Sequence, residues 1–366
     1  MLSFFRKFKY LDLPLLLAVF LLSLTGLALL YSTSLSSETL VVFKRQIIFV
    51  LIGWAFFLFF SFIDYHSVAK SGRLLYILSL LSLVYVLFFG EDIRGGTRWI
   101  DVGFFKLQPS EFVKVIIILG LGRILYLQRG QINSAVSILR SFMYAAIPAF
   151  LVLMEPDFGS AAVILCLWLG MVFLSPINKK YILGLLAIAF LAAIASWNFL
   201  LKDFQKNRIR VFLDPQRDTQ GQGYNVRQAV VAVGSGGLWG KGLGLGSQSQ
   251  NRFLPERQTD FIFAASAEQI GLFGTGAVLG LFLFLHARLI NIMQKSRDSF
   301  GLYAAGGVFF LSLIHTLVNI GMNIGLLPVT GIPLPFLSAG GSFFIMLMIA
   351  LGIAQNISLQ SKALRF

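Results

Sequence analysis

One cysteine and three histidines in 366 residues leave little material for thiol or imidazole chemistry. Cys166 has no partner for an intrachain disulfide, and the scattered His66, His286 and His315 do not make a zinc site by themselves. Charge is scarce as well. Asp, Glu, Lys and Arg make up 13% of the chain, where soluble globular proteins have about 25%, and 57% of the residues are hydrophobic. A large soluble domain is thereby excluded. Acidic residues are the rarer charge, 16 against 30 Lys and Arg, for a net charge of +14. These cations flank apolar runs instead of gathering in one footprint, which argues against a nucleic-acid partner. No internal repeat, low-complexity tail or Pro-rich linker divides the chain, so residues 1–366 read as one integral membrane domain.

What the sequence has in abundance is long apolar runs. About twenty apolar residues cross a bilayer as a helix. Runs of that kind fall near 13–32, 46–63, 74–90, 111–126, 142–154, 161–176, 182–200, 260–287, 301–324 and 339–357. They predict an all-α polytopic membrane protein of about ten spans. The first run follows Arg6, Lys7 and Lys9; it exceeds a signal-peptide core and lacks a small-x-small cleavage site, so it reads as a retained anchor. With the N-terminus cytoplasmic, the cytoplasmic side carries fifteen Lys and Arg and the short outer loops six. The positive-inside rule then places both termini in the cytoplasm and residues 201–259 in one large extracytoplasmic loop. That loop holds nine cations against four acids on the side where cations do not set orientation. Such an excess calls for an anionic partner.

Seven glycines between Gly234 and Gly246 suggest a phosphate loop until spacing is checked. Neither the Walker pattern nor GxGxxG fits, because Ser235 and Gly242 stand where Gly and Ser or Thr are required around Gly240 and Lys241. The stretch reads either as a flexible loop or as a backbone open enough for a bulky head group to approach. Glu256, Arg257 and Asp260 follow, where the loop meets span eight. Asp260 is a helix cap or, beside a cation in a partly dehydrated place, a functional carboxylate. Glu268 lies two turns deeper on roughly the same face, and an intramembrane Glu is commonly functional or paired.

A second cluster follows span three: Arg98, Trp99 and Asp101, then Lys106, Gln108, Glu111 and Lys114. Glu111 and Lys114 are spaced to pair on a helix. Arg98 and Lys106 have only Asp101 nearby in sequence, and such cations at a membrane surface suit a phosphate ester with an apolar tail. In the last outer loop Asn319, Asn323, Pro328, Gly331, Pro333, Pro335, Ser338, Gly340 and Gly341 break an apolar stretch, which membranes tolerate only against protein or a polar cavity. His315 reads as an interhelical donor, and His66 and His286 as interfacial residues.

Together these residues resemble the SEDS family of bacterial shape, elongation, division and sporulation proteins, most closely its RodA branch. The likeness runs over essentially the whole chain. Its motifs here are Thr97 to Asp101, Gln108 to Glu111 with Lys114, Pro156 with Asp157 and Gly159, Gly234 to Gly242, Leu254 to Phe261, and Asn319 to Ser342. Arg252 and Ala339 depart from the pattern. The resemblance implies a glycosyltransferase that polymerises lipid II, an undecaprenyl-diphosphate-linked disaccharide peptide, on the outer face of the membrane. It also implies a class B penicillin-binding protein as partner and Asp260 as the catalytic residue. Arg98, Lys106, Glu111, Lys114, Asp157, Lys241, Glu256, Arg257, Ser338, Gly340 and Gly341 are then the candidate substrate-binding residues. No cofactor is specified; a divalent cation has room between Asp260 and the diphosphate, but no carboxylate pair at fixed spacing calls for one. The rival reading is a lipid II flippase without catalysis. Transporters usually hold their polar site near the bilayer midplane between repeats, whereas here the polar clusters gather at one surface.

Overall fold

The structure, a computed structural model, describes residues 10–35, 40–92, 96–103, 105–128, 134–178, 180–181, 184–185, 187–188, 198, 203–214, 218, 221–251 and 253–363. In chain order the helices begin with α1 (Leu13–Ser34), α2 (Val41–Phe62), the short α3 (Tyr65–Lys70) and α4 (Gly72–Phe89). Three short strands follow, β1 (Glu91–Asp92), β2 (Thr97–Asp101) and β3 (Lys106–Leu107). Then come α5 (Pro109–Leu127), α6 (Ala135–Met154), α7 (Phe158–Phe173), α8 (Asp203–Leu213), α9 (Gln222–Ser235), α10 (Ser247–Gln250), α11 (Ile262–Gln294), α12 (Ser299–Asn323) and α13 (Gly341–Ala363). Among the described residues nine of the ten expected spans coincide with helices; the run at 182–200 falls almost entirely outside them.

The local causes are ordinary. Asp12, Ser134, Asp157 and Asp298 cap α1, α6, α7 and α12 by accepting bonds from first-turn N–H groups. Pro14 and Pro109 sit in the first turns of α1 and α5, where a missing N–H does no harm. α13 is the central post: 94% of its membrane-length segment is buried, against 17% for α4. Outer helices present large apolar side chains such as Leu51, Phe88 and Leu283, which suit lipid.

Two regions differ from the sequence reading. The segment after α4 is a small antiparallel sheet, with Trp99 opposite Glu91 and Ile100 opposite Leu107. Thr97, Trp99 and Ile100 favour a pleated backbone, and the run is too short to show a period by itself. The stretch 201–259 is also more than a loop. It carries α8, α9 and α10, and Ala229 and Ala232 of α9 join Leu254, Phe261, Ala264 and Ala265 in a second small core.

The glycine-rich stretch has a structural cause too. At Gly271 (φ 64°) α11 leaves helical geometry, which frees backbone groups that must find partners in a membrane protein. Lys241 and Gly242 donate to the carbonyls of Glu268 and Gln269 at 3.0 Å, while Leu272 and Phe273 donate to the carbonyls of Gly237 and Leu238 at 2.9 and 3.1 Å. The glycines thus let one backbone press against another. The stretch is therefore held against α11 and is not a slack loop.

At the face of the bundle carrying the chain termini, fully buried Asp12 ties three helices together. It accepts bonds from Arg288 of α11, at 2.6 Å from Nε and also from Nη2, and from Lys362 and Ser358 of α13 at 3.1 and 3.0 Å. The polar clusters around Asp260, Asp157 and Lys241 lie at the opposite face, called here the loop face.

Candidate active site

Asp260 follows a tight turn in which the Glu256 carbonyl accepts from the N–H groups of Thr259 and Phe261, both at 3.1 Å. The cap of α11 is Phe261, one residue beyond Asp260. Part of the expected capping role passes to α12, where Asn323 Oδ1 accepts from Ala264 N–H at 3.0 Å. Asn319 and Asn323 also donate to the Asp260 carbonyl at 3.0 and 2.9 Å. Two side-chain amides therefore fix the backbone that carries the half-buried Asp260 carboxylate.

The segment after α12 closes over this turn. Ser338 Oγ donates to the Thr259 carbonyl at 2.6 Å, the Ala339 N–H to the Gln258 carbonyl at 2.8 Å, and Asn319 to the Ile332 carbonyl at 2.8 Å. Gly331 lies against Asp260: a β-carbon there would stand 3.7 Å from Asp260 Oδ2. On its other side the segment meets α7, since a β-carbon on Gly159 would stand 2.8 Å from the Thr330 carbonyl. Thr330 and Gly331 thus connect Asp260 to the start of α7.

There Asp157 accepts from Ser160 N–H at 3.0 Å and from Gln108 Nε2 at 3.2 Å. Gln108 N–H in turn donates to Ser342 Oγ at 3.1 Å. The buried Glu111 and Lys114 pair at 2.8 Å one turn into α5, within electrostatic reach of Asp157. Asp157, Glu111, Lys114 and Asp260 accordingly come to one face of the bundle from distant parts of the chain.

Other expected residues have different settings. Arg98 and Lys106 face apart. Lys106 Nζ pairs with Glu91 at 2.5 Å on the exposed side of the sheet. Arg98 turns inward, its Nε donating to the Glu155 carbonyl at 3.0 Å and its Nη2 to the Pro156 carbonyl. Among the described residues Arg98 has no carboxylate at ion-pair distance, so its charge is oriented without being neutralised. Lys241 Nζ is held at 2.9 Å by Glu268, Ser235 and Ser247. Glu268 also accepts from the N–H groups of Gln248 and Ser249 at 2.8 Å. Lys241 and Glu268 therefore fasten the glycine-rich stretch to α11.

Glu256 accepts from Thr259 Oγ1 at 2.9 Å within the turn, and Arg257 is buried beside it. Gly340 N–H donates to Gln46 Oε1 at 3.2 Å, and Gly341 opens α13 against Phe49. His286 is buried and bonded to Ser312 at 3.1 Å, a correction to the interfacial reading, because α11 and α12 pack on each other there. Exposed His66 lies between Asp64 and Asp298 at 3.2 and 2.8 Å. His315 meets the Pro333 carbonyl at 3.2 Å. No group of three or more His, Cys, Asp or Glu among the described residues is placed to hold a metal ion.

Sequence reasoning passed over two features. Asn319 and Asn323 were read only as part of a helix-breaking stretch, although their four-residue spacing places both amides on one helix face. Glu155, between the fifth and sixth spans, carries no signal of its own in the sequence. Its side chain is buried, neither carboxyl oxygen has a hydrogen-bond partner among the described residues, and it adjoins Arg98 and Asp157. Burial first, then the like charge of Asp157, push its carboxyl up to about 8 against the opposing pull of Arg98.

A family model described as FtsW/RodA/SpoVE, cell cycle protein, matches residues 10–363. Peptidoglycan glycosyltransferase MrdB of Escherichia coli (strain K12) is 39% identical over 297 residues, covering 79% of this chain and 78% of that protein. Peptidoglycan glycosyltransferase RodA of Treponema pallidum (strain Nichols) is 30% identical over 425 residues, covering 95% of this chain and 97% of that protein. A solved structure described as "Structural coordination of polymerization and crosslinking by a peptidoglycan synthase complex" has a chain that superposes with a TM-score of 0.82. That chain is 27% identical, and the match covers 96% of this chain and 98% of that one.

Proposed function

The chain belongs to the FtsW/RodA/SpoVE family of cell cycle proteins, and on that premise we propose that it is a peptidoglycan glycosyltransferase. It is a multi-pass bacterial membrane protein, and it polymerises lipid II into glycan strands during cell elongation. The observation that carries this reading is the clamp on Asp260: two α12 amides hold its backbone and Gly331 stands against its carboxylate.

The chemistry follows from the groups present. A sugar hydroxyl is a weak nucleophile, so Asp260 takes its proton as the oxygen attacks the anomeric carbon of the lipid-linked donor. The bond from that carbon to the diphosphate breaks, the diphosphate leaves with the electron pair, and the configuration inverts. Removing a positioned base of this kind typically slows a reaction by about 10² to 10⁴. Arg98 is suited to the leaving diphosphate because its charge is anchored by two carbonyls and remains unneutralised. Glu111, Lys114 and Asp157 form the polar wall beside it, and Ser338, Gly340 and Gly341 hold the segment that closes the site. Lys106, already paired at the sheet, has the weaker case for substrate contact.

The plasma membrane is the location, with both termini cytoplasmic and the loop face outward; the fifteen to six distribution of short-loop cations supports that orientation. A class B penicillin-binding protein is the proposed partner, a pairing supported by likeness to a chain of a complex that coordinates polymerization and crosslinking. The test is purified protein in vesicles supplied with lipid II, with and without such a partner. Glycan strands are the expected product. Movement of lipid II across the bilayer with no strands formed at any partner concentration would make it a flippase.

A further inference from the structure

Glu155 is a carboxyl that the proposed reaction does not use, yet it stands where it can govern one that does. It caps the C-terminal end of α6 and is fully buried. Both side-chain oxygens are without a hydrogen-bond partner among the described residues. An ionised carboxylate in that condition is far costlier than a neutral acid. Four charged groups act on it or on its neighbour. Arg98 of β2 donates to the backbone carbonyl of Glu155 itself, Asp157 stands two residues on, and the Glu111–Lys114 pair of α5 lies within electrostatic reach of Asp157. Arg98 spends its two assigned donors on the Glu155 and Pro156 carbonyls, which carry no net charge. Its positive charge therefore stays available only while the acid beside it holds a proton.

We propose that Glu155 is a positioning residue that sets how strongly Arg98 binds the diphosphate of the lipid-linked substrate. When Glu155 is protonated, the guanidinium keeps its full charge for the anion. When Glu155 ionises, its carboxylate neutralises Arg98 and adds a negative charge near the diphosphate. Affinity then falls. The buried, unpartnered oxygens and the carbonyl-anchored guanidinium supply the geometry, and the upward displacement of the Glu155 carboxyl to about 8 sets the range in which the change occurs. The inference rests on the reading of the loop face as a lipid II polymerase site.

The experiment measures KM and kcat for lipid II polymerisation by the full chain between pH 7 and 9.5, in wild type and Glu155→Gln. Wild-type KM is expected to rise about tenfold, the scale of one charge-assisted hydrogen bond, while kcat changes far less. Glu155→Gln carries no titrating proton, so its KM is expected to stay near the wild-type pH 7 value across the range. A flat wild-type KM overturns the proposal without reference to any variant, and so does an equal rise in Glu155→Gln. If Glu155→Gln does not fold, Glu155→Met, similar in length and also uncharged, is held to the same expectation. Absence of glycan strands from wild type at every pH would instead overturn the polymerase reading itself.

Discussion

Gly240 and Gly271 meet backbone to backbone. A β-carbon on Gly271 would stand 2.2 Å from the Gly240 nitrogen, and one on Gly240 would stand 2.6 Å from the nitrogen of Gly271. Both residues have positive φ, 80° and 64°, so a side chain at either meets conformational strain as well as a clash. This contact lets the glycine-rich stretch satisfy the helix break, and the break places the first part of α11, with Asp260 at its start, under the loop face.

Gly271→Ala is accordingly expected to lower stability by at least about 2 kcal/mol, from left-handed strain of roughly 1–2 kcal/mol plus displacement of backbone. Thermal unfolding of the purified variant in detergent measures it. An unchanged midpoint would mean that the two segments separate easily.

Lys241 and Glu268 are assigned to the scaffold, and that assignment separates stability from substrate use. Lys241→Met leaves the buried Glu268 carboxylate without its cation, a change expected to cost about 3 kcal/mol. The fraction that folds is expected to show a KM for lipid II close to wild type. Normal stability with a raised KM would make Lys241 a substrate cation.

Asp12 ties α1 to α11 and α13, and its environment fixes a pH dependence. Burial disfavours its charge, but the bonds from Arg288 and Lys362 outweigh that and hold the carboxyl near 2. Its folded value is below its unfolded one, so the stabilisation is present above about pH 4 and is lost as pH falls toward 2. Asp12→Asn is expected to lower unfolding stability by about 2 kcal/mol at neutral pH, the linkage value of a displacement of this size. The difference from wild type is expected to shrink in unfolding measurements at pH 3. A constant difference at pH 3 and 7 would show that packing, not charge, makes the contribution.

The orientation of the loop face is read from cations alone, and chemical labelling tests it. With Cys166 replaced, a cysteine at exposed Asn251 is expected to react with an impermeant thiol reagent in intact cells. Labelling only after lysis would reverse the topology.

Much of the fold was legible in the sequence because membrane spans announce themselves by length and apolarity, as in α1, α2 and α12. The small sheet was not, because Thr97 to Asp101 is too short for period-2 alternation to stand out. The meaning of the glycines was hidden for another reason: their partner, the break at Gly271, lies outside the glycine-rich stretch and looks like any other glycine within an apolar helix. Site legibility followed the same division. Asp260 and the Glu111–Lys114 pair stood out as charges at an apolar boundary. The inward turn of Arg98 onto the Glu155 and Pro156 carbonyls depends on contacts 57 and 58 residues away, which spacing does not encode. Lys106 had seemed equivalent to Arg98 until its antiparallel strand placed it opposite Asp101, beside Glu91.

The central claim is that Asp260 is the base, and the most direct measurement is glycan polymerisation from lipid II by purified, folded Asp260→Asn alongside wild type. The amide keeps the shape and the two bonds from Asn319 and Asn323 to the backbone carbonyl, so the unfolding midpoint is expected to stay near wild type. Turnover is expected to fall by about 10² to 10⁴, roughly 3 to 5 kcal/mol in the barrier. Near-normal strand synthesis by the folded variant would contradict the account and move the base to Glu256 or Asp157.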